Sequence, residues 1–394
     1  MPSRHSDTPS ITVKTRHLAF ICLGLSAAIA VAANDAASGS KHRDDPPSPV
    51  ESLAHIPRLQ HVNSILVSPD GATVATLRGE NTSWNEGGKP LALQVWSVSG
   101  GDLLWTAKSP VFRLLTFSPD SKRLVGMTED TRVTIWDAAN GRIRSRLSAR
   151  NVSYSAAVFS PDGEALITSI NRFEGGGGIP MQPSSGAIQL WRAKNGRFLR
   201  ELTTHTQPVW ALAVSPDGTN LAAAQQGSGP GATINLLDLA SDSTRHTLVL
   251  AADISFVSSV AFSPDGRWLA ASSGTHDGRG EVRLWNVASG ALKRTVTEAD
   301  LGAMSVVGWE AQVAFSPEGT ILAIAGDNQT VNLWSVADDK WRGSFGPSVP
   351  PDPGRCVMQF VRDGLLLAGV NWFQQVEVKY WRYPGNQAAS AEDH

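Results

Sequence analysis

The chain has 394 residues, with 34 Lys and Arg against 36 Asp and Glu for a formal charge of −2, and the two signs are interspersed rather than run together. This excludes the basic footprint expected of a nucleic-acid binder and leaves a membrane as partner only if an apolar segment tethers the chain to it. With 41% hydrophobic residues, 36 Gly and 23 Pro the composition is that of a globular chain with many turns, and two cysteines, Cys22 and Cys356, are too few for a disulfide framework.

At the N-terminus Lys14, Arg16 and His17 precede an apolar stretch from Leu18 to Ala33 that ends in Ala30-Val31-Ala32-Ala33 before Asn34-Asp35. Charged region, apolar region and small-residue cleavage site in that order predict a signal peptide over residues 1–33 and an extracytoplasmic chain, periplasmic or secreted. Cys22 then departs with the signal and Cys356 remains a lone thiol. The alternative is an uncleaved anchor over residues 18–33, short of the roughly 20 residues a spanning helix uses. Residues 34–50, rich in Ala, Ser, Pro and charge, read as a disordered linker.

From residue 51 the chain repeats. Ser68-Pro69-Asp70-Gly71 returns as Ser118-Pro119-Asp120-Ser121, at 160–163, 215–218 and 263–266, as Ser316-Pro317-Glu318-Gly319, and in degraded form as Val361-Arg362-Asp363-Gly364. Alternating apolar runs flank each copy. Pro presets φ and Gly tolerates positive φ, so each copy predicts strand, tight turn, strand. A third run follows and ends on Trp96, Trp136, Trp191, Trp285, Trp334 or Trp381, with Leu237-Asp238 in the fourth copy. Successive spacings at this position are 40, 55, 46, 48, 49 and 47 residues. Turns such as Asn140-Gly141 and Asn195-Gly196 then lead into a fourth strand. A small twisted sheet with two apolar faces cannot bury both alone, so such units stack face to face, with the six tryptophans as structural filling between them.

Over roughly residues 51–384 this pattern resembles the WD-repeat β-propellers, in a divergent form with SPDG turns. Only Trp136 is followed by Asp (Asp137), and in place of the family's Gly-His pair there is only Thr204-His205. The resemblance implies an all-β, seven-bladed propeller of four-stranded antiparallel blades. The last copy supplies three strands and then a polar tail, 385–394. Following the family's habit, residues 51–60 are expected to form the outer strand of the seventh blade and so close the ring.

No catalytic constellation, metal-ligand spacing or cofactor-binding motif is found, so no cofactor is expected. Strand 2 to strand 3 connections are long in copies one (78–90), three (171–186), four (225–231) and five (273–280), and the connections 298–310 and 346–355 emerge on the same face. Counting back five residues from each turn serine places Asn63, Arg113, Ser155, Trp210, Ser258, Ala311 and Cys356 at one ring position at the mouth of the central channel on that face. Trp210, Arg113 and Asn63, with Trp84 and Phe173 in the long loops, are the candidate partner-binding residues. The expected function is a non-catalytic, monomeric protein-interaction or scaffold module with an unknown protein partner. The alternative is a propeller enzyme or dehydrogenase-type subunit acting at the channel mouth, which requires acids or His converging there.

Overall fold

The computed structural model describes residues 52–55, 62–78, 92–107, 111–128, 132–147, 152–172, 185–205, 207–225, 231–254, 256–275, 279–301, 311–326, 330–345, 356–361, 364–370 and 376–382. The expected signal segment, linker and tail lie outside them. No helix among the described residues is long and apolar enough to cross a membrane.

Those residues are almost entirely strand. After β1 (Ser52–His55), sheet 1 holds β2 (Val62–Val67), β3 (Thr73–Arg78), β4 (Ala92–Ser97) and β5 (Leu103–Thr106). Sheet 2 holds β6 (Val111–Phe117), β7 (Arg123–Thr128), β8 (Val133–Asp137) and β9 (Ile143–Leu147). Sheet 3 holds β10 (Val152–Phe159), β11 (Ala165–Arg172), β12 (Ser185–Arg192) and β13 (Arg197–His205). Sheet 4 consists of β14 (Val209–Val214), β15 (Asn220–Gln225), β16 (Thr233–Asp238) and β17 (Ser243–Val249), and sheet 5 of β18 (Phe256–Phe262), β19 (Trp268–Gly274), β20 (Gly280–Asn286) and β21 (Leu292–Thr297). Sheet 6 contains β22 (Gln312–Phe315), β23 (Ile321–Ala325), β24 (Val331–Ser335) and β25 (Lys340–Phe345). In sheet 7, β26 (Cys356–Val361), β27 (Gly364–Val370) and β28 (Val376–Arg382) are followed at the edge by β1, which pairs antiparallel with β28.

The turn chemistry sets this pattern. In the first five copies the serine Oγ donates to the aspartate Oδ1, at 2.5–2.6 Å. The same oxygen accepts the N–H of the residue that opens the second strand, at 2.8–2.9 Å. In the six copies that begin with serine the fourth turn residue has positive φ, 71° at Gly71 and 69° at Gly266, and in the second copy Ser121 adopts 58°. Ser121 earns its place differently from a glycine: its Oγ accepts the backbone N–H of Asp70 from the neighbouring turn at 3.0 Å.

Packing joins each sheet to the next through an apolar cluster. Trp136 of sheet 2 sits among Leu77, Leu93 and Val95 of sheet 1, and Trp191 of sheet 3 among Val125, Val133 and Ile135 of sheet 2. Trp285 of sheet 5 repeats the arrangement against sheet 4 and Trp334 of sheet 6 against sheet 5, and all are buried. In sheet 4 Leu237 takes the same place against Ile167 and Ile188. Trp96 packs on Val357, Leu366 and Val378 of sheet 7. The indoles of Trp96 and Trp191 donate to Thr76 and Thr168 in their own sheets, at 3.0 and 2.9 Å, which satisfies buried N–H groups that would otherwise cost about 1–3 kcal/mol each. The side chain of Trp381 lies outside the described residues.

Candidate functional site

The first strands of the seven sheets lie side by side in the order β2, β6, β10, β14, β18, β22, β26, and β2 also touches β26. Because the strands are antiparallel, their N-terminal ends share one face with the strand 2 to strand 3 connections, and the serine turns and strand 3 to strand 4 hairpins share the other.

Near that N-terminal end five of the first strands carry an extra, unpaired residue. The register shifts between Val62 and Ser64, Val111 and Arg113, Tyr154 and Ala156, Val209 and Ala211, and Val257 and Ser259. Asn63, Ser155, Trp210 and Ser258 therefore occupy one recurring bulge. Such bulges re-aim a side chain next to binding sites. In sheet 2 the bulge residue is Phe112. A second register shift, between Leu114 and Thr116, moves Arg113 one place along the ladder, opposite Met127 and level with Ser64. Arg113 is buried at 7% exposure rather than presented at the mouth. Residue counting from the turn serine missed Phe112 because nothing in Val111–Phe117 marks the second bulge.

The bulge residues have different employment. Ser155 Oγ donates to the carbonyl of Val209 in the next sheet at 2.6 Å and lies 2.9 Å from Ser169 Oγ. Ser258 Oγ lies 3.1 Å from Ser272 Oγ, which donates to the carbonyl of Ala311 at 2.6 Å. One place further in, Gln312 Oε1 accepts the N–H of Met358 at 3.3 Å. These groups bind one sheet to the next. Trp210 is half-buried against the cluster shared by sheets 4 and 5, and its buried indole N–H meets no acceptor among the described residues. It offers a ring surface rather than a donor.

The connections differ from expectation in one copy. Gly274 pairs with Gly280, and Thr275 and Arg279 close a short hairpin through N–H to carbonyl and hydroxyl bonds of 2.8 and 3.1 Å, so copy five is no longer there than Thr128 to Arg132 in copy two. In copy three the ladder runs out to Arg172 and Ser185. Trp84 and Phe173 lie outside the described residues, as do the side chains of Asn63, Phe112 and Cys356.

At the opposite end two carboxylates carry lowered pKa values. Asp137, next to Trp136, is ion-paired with Arg144 and accepts the Ala139 N–H at 3.1 Å. Burial opposes its ionisation, but those partners outweigh it and hold the carboxyl below its usual range. Asp238 makes the same pairing with Arg245, whose guanidinium, with two backbone N–H groups, lowers it strongly. These are turn braces. Among the described residues no three His, Cys, Asp or Glu side chains are arranged to hold a metal ion.

The family model described as WD domain, G-beta repeat matches residues 196–229, 245–286 and 311–335. The first two matches begin near the outer strand of one sheet and end in the next, so the sequence repeat straddles two sheets. Apoptotic protease-activating factor 1 of Rattus norvegicus is 27% identical over 235 residues, 59% of this chain and 17% of that protein. Periodic tryptophan protein 2 of Arabidopsis thaliana is 25% identical over 295 residues, 70% of this chain and 29% of that protein. Autophagy-related protein 16 of Arabidopsis thaliana is 22% identical over 249 residues, 54% of this chain and 47% of that protein. The chain thus spans less than half the length of each of these relatives.

Proposed function

Since the chain belongs to the WD-repeat family, we propose that it is a closed seven-bladed propeller serving as an exported, non-catalytic protein-interaction module. Its partner docks on the face of the long strand 2 to strand 3 connections. Closure is supported by the pairing of β1 with β28 and by the cluster that packs Trp96 of sheet 1 on Leu366 and Val378 of sheet 7. Export rests on the apolar stretch 18–33 behind Lys14, Arg16 and His17.

The observation that carries the binding reading is the recurring bulge. The backbone repeats its geometry in five sheets while the residue at it changes (Asn63, Phe112, Ser155, Trp210, Ser258), and of the three whose side chains are described Ser155 and Ser258 are buried whereas Trp210 keeps a half-exposed ring. A constant scaffold with a varied rim is how rigid repeat folds carry specificity. Affinity purification from the native organism, followed by mass spectrometry, identifies the partner. The Trp210→Ala/Trp84→Ala variant is expected to melt within a few degrees of the parent and to retain at most about a tenth of that partner, as for loss of an aromatic hot spot. Undiminished retention would place the docking face elsewhere.

A further inference from the structure

The seven sheets are internal controls for one another, and the strand 3 to strand 4 hairpins of sheets 2 and 3 stand apart. Arg142 and Arg146 in one, and Arg192, Lys194 and Arg197 in the other, are all exposed. None of the five has an ion-pair partner among the described residues. In these two hairpins Arg144 and Arg200 are paired with Asp137 and Asp242, and among the described residues the hairpin of sheet 6 holds a single exposed cation without an ion pair, Lys340, against five here. Arg245 of sheet 4 is paired with Asp238, Arg342 of sheet 6 with Asp338, and Arg294 of sheet 5 with Asp300. Lys293 donates to the Val336 carbonyl and lies over the Trp268 ring. The corresponding hairpin of sheet 1, 97–106, has no Lys or Arg.

The two hairpins form one surface. The Asn195-Gly196 turn sits on β9, so that a Cβ on Gly196 would lie 3.1 Å from the Arg146 carbonyl and 3.2 Å from Ser145 Cβ. Between the cations stand Ile143 and Phe198, 44% and 47% exposed, and Leu199. The outermost strand here, β13, is nine residues long and β9 five, against four to seven in the other outer strands. A long outer strand presents a row of backbone donors and acceptors to an added strand.

We infer that this rim is a second interaction surface, at the opposite end of the sheets from the long connections, and that it takes an extended polypeptide segment rich in Asp and Glu. Four of the five cations are arginines, whose planar fork matches a carboxylate, and β13 supplies the edge along which an extended segment lies. Phe198 meets Trp191 in a T-shaped contact at 5.2 Å and leaves about half of its surface exposed beside the cations. Charge counted along the chain shows no run here because residues 142–146 and 192–197 meet only through the packing of sheet 3 on sheet 2.

The test is titration of the full chain with a labelled oligo-glutamate peptide, with phosphatidylglycerol vesicles and single-stranded DNA as competing probes. Oligo-glutamate is expected to bind at about 0.05 M salt and to be released at about 0.5 M, where screening is severe. Arg142→Glu/Arg146→Glu and Arg192→Glu/Lys194→Glu/Arg197→Glu should each weaken it at least tenfold with unchanged melting. Gln replacements at the same positions provide the readout if the reversals fail to fold. Arg267→Glu, which removes an exposed cation paired with Asp265 in sheet 5, should change affinity less than twofold. Absence of oligo-glutamate binding, equal loss in Arg267→Glu, or tighter binding of vesicles or DNA through the same residues would each overturn the inference. The outcome is independent of the Trp210 face.

Discussion

Gly71→Ala and Gly266→Ala make a matched pair that measures whether the first sheet packs on the last. Both glycines close the same serine turn at nearly the same φ, 71° and 69°, so both substitutions incur the same left-handed strain, about 1 kcal/mol. Their surroundings differ. A Cβ at Gly71 would stand 2.7 Å from Leu366 Cδ1 and 2.7 Å from Val361 Cγ1 of sheet 7, whereas at Gly266 nothing lies within 4 Å. Leu366 is buried and Val361 is β-branched, so neither swings aside easily, and forcing a methyl into a packed contact costs about 1–3 kcal/mol. At ~2 cal/mol/K per residue over the roughly 250 described residues, each kcal/mol lowers the melting temperature by ~2 °C. Gly71→Ala should therefore melt about 2–6 °C below Gly266→Ala, and the gap should shrink in the Val361→Ala background because the two side chains share the space. Calorimetry and urea midpoints measure both. Equal melting of the two variants would refute the packing of sheet 1 on sheet 7.

Other outcomes follow from the same structure. Ser263→Ala removes the hydroxyl that donates to Asp265 and accepts the Trp268 N–H, and should cost about 1–3 kcal/mol in urea unfolding. Trp136→Ala, which empties the joint between sheets 1 and 2, should cost about 3–5 kcal/mol by the same measurement. Asp162 is held below its usual range chiefly by the Ser160 hydroxyl and the Glu164 N–H. Asp120, Asp217 and Asp265 are also low: burial opposes their ionisation, but similar bonds outweigh it. Depressed carboxyls contribute stability that is full above their unfolded pKa, about 3.9, and is lost as pH falls through the folded value. The urea midpoint should thus be insensitive to these groups above about pH 5 and decline below about pH 4, a decline that Ser160→Ala makes shallower. A midpoint that rises on acidification would contradict this reading of the turns.

The regular features were the legible ones. Serine, proline and glycine have one use at a tight turn, and a tryptophan every 40 to 55 residues has one use between sheets, so strands, hairpins and inter-sheet filling could be read from type and spacing. Even Leu237, where the tryptophan is missing, takes the expected place. The site was less legible because its geometry depends on features without a residue signature. The second bulge in β6 moves Arg113 one place along the ladder and leaves Phe112 as the unpaired residue, yet Val111–Phe117 contains neither Gly nor Pro to announce it. The length of the copy-five connection was misjudged because the Thr275 hydroxyl closes a turn that the Gly-rich sequence suggested was open. The cationic rim depends on which sheets are neighbours, and a count of charges along the chain does not contain that information.

Hydrogen exchange of the chain with and without the purified partner tests directly which face holds the partner. New protection is expected in residues 79–91, 173–184 and 226–230 and in the bulge segments around Asn63 and Trp210. Protection confined to the serine turns and the strand 3 to strand 4 hairpins, with those segments unchanged, would contradict it.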